Sequence, residues 1–167
     1  MANSFSLQWF VGFVEADGCF SSRNDRKWVT PRFQLALRAD DYPLLLMMQE
    51  QLGIGRLGKS WRTHYRVDTE GRVYTTTTPM ARWDVRSKLE LLALVEIFDA
   101  NPLLSRKAED YRVWRELVME YRKPAIERDR SHMRYLGQKL TWVKKMRDES
   151  EAAEPEKDWE QLYLFPW

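Results

Sequence analysis

Residues 10–18 of this chain read F-V-G-F-V-E-A-D-G, and no other stretch constrains the fold as strongly. Gly12 and Ala16, four residues apart in this apolar helical run, fall on one helix face. With no bulk on that face, a second helix backbone can come very close, as in small-xxx-small packing. Glu15 and Asp17 follow at the foot of the helix, and Gly18 is placed to end it as a C-terminal glycine. Carboxylates beside the carbonyls left free at a helix end repel each other unless a cation lies between them. The run therefore predicts a tight helix pair with a hard-metal site at its base.

Residues beyond this run narrow the fold further. Short strands are expected at 19–24 and 28–38, joined by the turn residues Asn24-Asp25-Arg26-Lys27. In the second strand Phe33, Leu35 and Leu37 alternate with Arg32, Gln34, Ala36 and Arg38, so one face is core and the other polar and basic. Asp40 and Asp41 begin a helix that tolerates Pro43 in its first turn, buries Leu44, Leu45, Met48 and Leu52, and breaks at Gly53 and Gly55. Residues 56–86 read as a long hairpin turning at Asp68-Thr69-Glu70-Gly71. Ser87 with Glu90 forms a capping box for a helix carrying Leu91, Leu94, Val95 and Phe98 inward and ending at Asn101-Pro102. A further helix is expected from about Ser105 to Tyr121, with Tyr111, Trp114, Leu117 and Val118 inward, and one or two more over 126–147. Asn3 or Ser4 would cap the first helix, and the tryptophans are expected in the core.

The run at 10–18, followed by strand, strand, helix, strand, strand, helix, closely resembles the LAGLIDADG motif of homing endonucleases and their maturase relatives, over roughly residues 5–120. The resemblance implies an α/β (α+β) fold of αββαββα order, with a saddle-shaped antiparallel sheet, helices on its outer face and, here, extra C-terminal helices. The chain divides into a core at 1–122, a helical extension at 123–150 and an acidic tail with an apolar end at 151–167. The implied activity is site-specific cleavage of double-stranded DNA dependent on Mg²⁺, for which Mn²⁺ substitutes. No second copy of the motif is present. Family members with one motif form homodimers, so Phe10, Gly12, Phe13 and Ala16 are expected at a two-fold interface and the DNA site should be nearly palindromic. By the same resemblance, the gene lies within an intron or another mobile element. Two alternatives keep the fold: an intron RNA maturase, with RNA as partner, and a DNA-binding regulator without catalysis.

The resemblance also assigns roles. Asp17 matches the family's metal-binding acid, the Ala16 carbonyl is an additional ligand, and Glu15, at the motif's other acidic position, is expected to give electrostatic or structural support to the catalytic set. Lys107, following Pro102-Leu103-Leu104, matches a lysine that polarises water or stabilises developing phosphoryl charge. Where relatives carry a water-orienting glutamine, this chain has Leu37. A two-stranded ribbon fits the major groove, and arginine–guanine and glutamine–adenine are the favoured pairings. The expected DNA-facing residues are Ser21, Arg23, Trp28, Thr30, Arg32, Gln34 and Arg38 from the first hairpin, with Arg56, Lys59, Arg82, Asp84 and Arg86 from the second.

Charge supports a polyanionic partner. The net charge of 167 residues is only +2, yet residues 148–160 hold seven acids and a single base, leaving 26 basic and 18 acidic residues elsewhere and a body of +8. One cysteine, Cys19, excludes an intramolecular disulfide and fits a reducing compartment. With no apolar run near the ~20 residues of a membrane span and no signal-like N-terminus, an intracellular, unsecreted protein without membrane partners is expected. Two histidines, His64 and His132, are too few for a typical zinc or histidine-metal site, and Gly53, Gly55 and Gly58 make no phosphate loop.

Overall fold

The computed structural model describes residues 4–25 and 28–153, with side chains described as far as Thr141. The chain runs α1 (Leu7–Asp17), β1 (Gly18–Asn24), β2 (Val29–Arg38), a 3₁₀ turn (Ala39–Asp41), α2 (Tyr42–Leu52), β3 (Arg56–Val67), β4 (Val73–Val85), α3 (Lys88–Ala100), α4 (Lys107–Arg122) and α5 (Arg130–Ala153). All strand pairs are antiparallel, in the order β1-β2-β4-β3. This is the mixed α/β order expected from the motif and its surroundings. Among the described residues no helix is long and apolar enough to cross a membrane.

Local chemistry sets most boundaries. Ser6 caps α1 by accepting the Trp9 N–H at 3.1 Å, in place of the expected Ser4; Asn3 lies outside the described residues. Gly18 does not end α1 in a left-handed turn. Its φ of −66° and ψ of 143° run straight into β1. Glycine is required there by space, because a Cβ would lie 2.5 Å from Val14 Cγ1 and 2.7 Å from the Val14 carbonyl oxygen. Gly53, at φ 66°, does close α2 in the left-handed region. Ser87 caps α3 through the Glu90 N–H, but the expected box is half made: the Glu90 carboxylate accepts the Gly55 N–H at 3.2 Å instead, tying α3 to the start of β3.

One face of the sheet carries Phe20, Phe33, Leu35, Trp83 and Val85, all buried against the helices. Phe10 of α1 stacks on Phe98 of α3 and meets the edge of Trp83, while Trp114 and Tyr111 of α4 close over Phe20. The buried indoles of Trp83 and Trp114 keep their hydrogen bonds: Trp83 donates to the Ile54 carbonyl at 2.9 Å and Trp114 to that of Arg32 at 3.0 Å. Other tryptophans depart from the core expectation. Trp9, Trp28 and Trp61 are exposed, Trp61 by 71%.

Met133, Leu136 and Leu140 of α5 enter the same core cluster as the motif helix. Gly137 allows α5 to lie against the first hairpin, since a Cβ there would meet Asn24 Oδ1 and Val29 Cγ1 at 2.9 Å. The α5 backbone continues to Ala153, past the expected start of the tail, and the remainder of that tail lies outside the described residues. The second hairpin outruns the helices. Its rows from Trp61–Pro79 to Val67–Val73 project about 20 Å at strand rise, with Trp61, Tyr65, Val67 and Val73 exposed.

Candidate active site

The foot of α1 gathers the residues the sequence singled out for chemistry. Asp17 is exposed at the last position of the helix, and its carboxylate accepts no hydrogen bond among the described residues. Lys107, the first residue of α4, reaches back 91 positions to donate to the Ala16 carbonyl at 2.7 Å and also to that of Val14 at 3.1 Å. Desolvation lowers the pKa of this ammonium, against the opposing charges of Asp17, Cys19, Asp110 and Glu15. Glu15 points the other way. Its carboxylate accepts the N–H groups of Leu104 and Ser105, the latter at 3.1 and 3.2 Å to its two oxygens. Partial burial pushes its pKa up, but the bonds from the Ser105 side chain and both amides, with the Lys107 charge, outweigh this and hold it below the ordinary value. Glu15 and Asp17, two residues apart, thus have different environments: one carboxylate is engaged by donors, the other open.

An open carboxylate beside backbone carbonyls is hard-oxygen chemistry and suits Mg²⁺. Among the described residues no three His, Cys, Asp or Glu converge, so Asp17 is without a second protein carboxylate in such a cluster. The Ala16 carbonyl already accepts the Lys107 ammonium, and a cation there would share it.

The outward face of α1 carries Trp9, Gly12, Phe13 and Ala16. Trp9 and Phe13 stack at 5.4 Å, Gly12 and Ala16 are exposed, and a Cβ on Gly12 would meet nothing within 4 Å. Phe10 is not on this face. It is fully buried, because two helical residues turn it about 200° from Gly12 and into the core, so it is unavailable to a partner.

The sheet face away from the helices carries most of the expected DNA-facing set. Register aligns Ser21 with Arg32, Arg23 with Thr30, Gln34 with Asp84, and Asp84 in turn with Arg56. Asp84 sits at the centre, bound by the Arg32 guanidinium through Nε at 2.7 Å and by Arg86 at 3.1 Å. Arg23 pairs with Asp25 and Arg38 with Asp40, whereas Arg56 and Arg82 make no ion pair among the described residues. Trp28, just before β2, packs under the Arg130 guanidinium at 4.3 Å. Lys59 is a correction: paired with Ala81, it belongs to the helix-side face with Leu57 and Trp83. Leu37, which the alternation of β2 placed on the core face, does pair with Ala81 and pack against the core. The polar face continues onto the projecting hairpin through Arg62, His64 and Arg66, which line up with Thr78, Thr76 and Tyr74. These three were missed, although their spacing of two was visible in the sequence.

Comparison with known proteins identifies the fold and the family. The family model described as LAGLIDADG endonuclease matches residues 10–118. The Schizosaccharomyces pombe "Probable intron-encoded endonuclease Cox1-I1b" is 30% identical over 121 residues, covering 68% of this chain and 27% of its own length. The Neurospora crassa "Probable intron-encoded endonuclease 4" is 29% identical over 114 residues, covering 68% and 18%. The chain thus spans about a quarter or less of these two relatives. Among solved structures, the archaeal intron-encoded homing endonuclease I-Vdi141I, complexed with DNA, superposes with a TM-score of 0.57 at 19% identity over 81% of each chain. I-SmaMI bound to uncleavable DNA gives 0.61 at 20% identity, over 81% of this chain and 44% of that one. With a family match over most of its length, this chain belongs to the LAGLIDADG endonuclease family.

Proposed function

We propose that this chain is a homing endonuclease that acts as a homodimer and makes a metal-dependent double-strand break at a long, nearly palindromic DNA site. The observation that carries the reading is the foot of α1. The open Asp17 carboxylate lies at the end of α1, whose outward face carries the small residues Gly12 and Ala16 beside Trp9 and Phe13, with the Lys107 ammonium held in the same turn. Two copies joined along that face would bring both Asp17 side chains near one two-fold axis. The chain matches 81% of the I-Vdi141I chain but 44% of the I-SmaMI chain, which supports one copy corresponding to half of a longer relative.

In this reading Asp17 from each protomer would hold the cation, with the Ala16 carbonyl as an additional ligand. When bound, Mg²⁺ supplies an activated water and neutralises charge on the leaving oxygen. Lys107 adds a fixed positive charge beside the scissile phosphate. The polar sheet face holds the duplex, with Arg56, Arg82 and Gln34 reading base edges and the Arg32–Asp84–Arg86 cluster fixing the face's charge pattern. The basic body of +8 supplies phosphate affinity. Such an enzyme works where its DNA is, inside the cell.

The test is cleavage of DNA joined across the insertion point of the element that carries the gene, with Mg²⁺ or with EDTA. A double-strand break in Mg²⁺ alone is expected. Tight binding of the duplex without a break, or binding of the intron RNA in its place, would contradict the reading.

A further inference from the structure

We infer that Glu15 is a positioning residue that sets Lys107 beside Asp17, and not a ligand of the metal. The inference rests on the proposed nuclease function and deepens it. Glu15 and Lys107 join the same two segments in opposite directions. The Glu15 carboxylate grips backbone amides at 104 and 105, just ahead of α4, while the Lys107 ammonium grips backbone carbonyls at 14 and 16, the last turn of α1. Ser105 links the two halves, since its hydroxyl accepts the Lys107 N–H at 3.1 Å. Together they form a two-way latch between the motif helix and the start of α4.

The geometry decides between the two roles. Both Glu15 oxygens are already engaged by N–H donors, and these donors belong to a segment that cannot follow the carboxylate toward a cation without releasing α4. Lysine carries a long, flexible stem, so its head is placed only if the backbone at its root is fixed. Glu15 fixes that root through Leu104 and Ser105, three and two residues ahead of Lys107. Loss of the grip would let the 104–107 segment drift, and a misplacement of about 1 Å at a reacting centre costs on the order of 100-fold in rate.

The experiment is a double-mutant cycle on the full chain, with Glu15→Gln and Lys107→Met alone and together. Single-turnover cleavage is followed across Mg²⁺ concentrations. Glu15→Gln should lower the maximal rate about 10- to 100-fold, leave the Mg²⁺ concentration at half-maximal rate unchanged, and add nothing further in the Lys107→Met background. Glu15→Asp, which keeps the charge, should recover part of the loss and serves if the glutamine variant fails to fold. A raised Mg²⁺ requirement, or losses that multiply in the double variant, would overturn the inference. Should the wild type cut no DNA, the nuclease reading fails separately, and the same cycle read on melting temperature decides. Shifts smaller together than their sum support the latch, and additive shifts overturn it.

Discussion

Replacing Gly12 with leucine should strengthen the protomer and destroy the proposed pair. A Cβ at Gly12 meets no atom within 4 Å, and the residue lies inside α1 with ordinary helical geometry. Glycine in a helix interior costs about 0.8–1 kcal/mol relative to good helix formers. Gly12→Leu should therefore stabilise the isolated protomer by nearly that amount, which for a chain of this size raises the melting temperature by about 2–4 °C. In the pair the effect reverses, because the leucine side chain fills the space that a second helix backbone needs for close approach. Sedimentation velocity over a dilution series, with melting curves at a dilution where the wild type is also monomeric, separates the two effects. A dimeric wild type, a monomeric variant and a higher protomer melting temperature are expected. A variant that still dimerises with unchanged affinity, or one that melts lower as a monomer, would refute the placement of Gly12 at a helix–helix contact.

The same geometry makes three further predictions. Gly55→Ala should destabilise strongly, since φ is 79° and the new Cβ would lie 2.1 Å from Trp83 Nε1, breaking that indole's bond to Ile54; a lowered urea midpoint would show it. Asp99 is held below its ordinary pKa by hydrogen bonds from Arg115, against partial burial and aided by the Tyr111 hydroxyl. A depressed folded-state value gives stability that is present above about pH 4 and lost as pH falls further, so Asp99→Asn should melt lower at neutral pH with a shallower decline in acid. Arg82→Ala should weaken specific DNA binding by about 1–3 kcal/mol if it reads a base, whereas Lys59→Ala, on the helix-side face, should leave affinity nearly unchanged in a gel-shift titration.

How much was legible in the sequence depended on the range of the physics involved. The α1 motif, the alternation of β2 and the inward stripe of α4 are local patterns, and the fold follows them closely. Two errors were errors of period. Phe10 lies two residues from Gly12 and so cannot share its helix face, and Lys59 lies three from Arg56 and so cannot share its strand face. Exposed Trp9, Trp28 and Trp61 show that residue type alone does not place an aromatic. The partners of Glu15 were beyond reach for a different reason. They are backbone amides 89 and 90 residues away, and a backbone donor leaves no mark in the sequence of its acceptor. Gly18 does end α1 as the sequence predicts; only its backbone differs, extended where a left-handed turn was expected, with Val14 of the preceding turn leaving no room for a Cβ.

If Asp17 holds a catalytic cation in a DNA-cutting dimer, Asp17→Asn should abolish cleavage alone. The exposed position means the substitution should leave the fold intact, with an unchanged melting temperature. Wild type and variant would be compared on the same duplex for binding and for cleavage in Mg²⁺. Equal binding, a double-strand break by the wild type and none by the variant are expected. Cleavage by Asp17→Asn at the wild-type rate would contradict that role for Asp17.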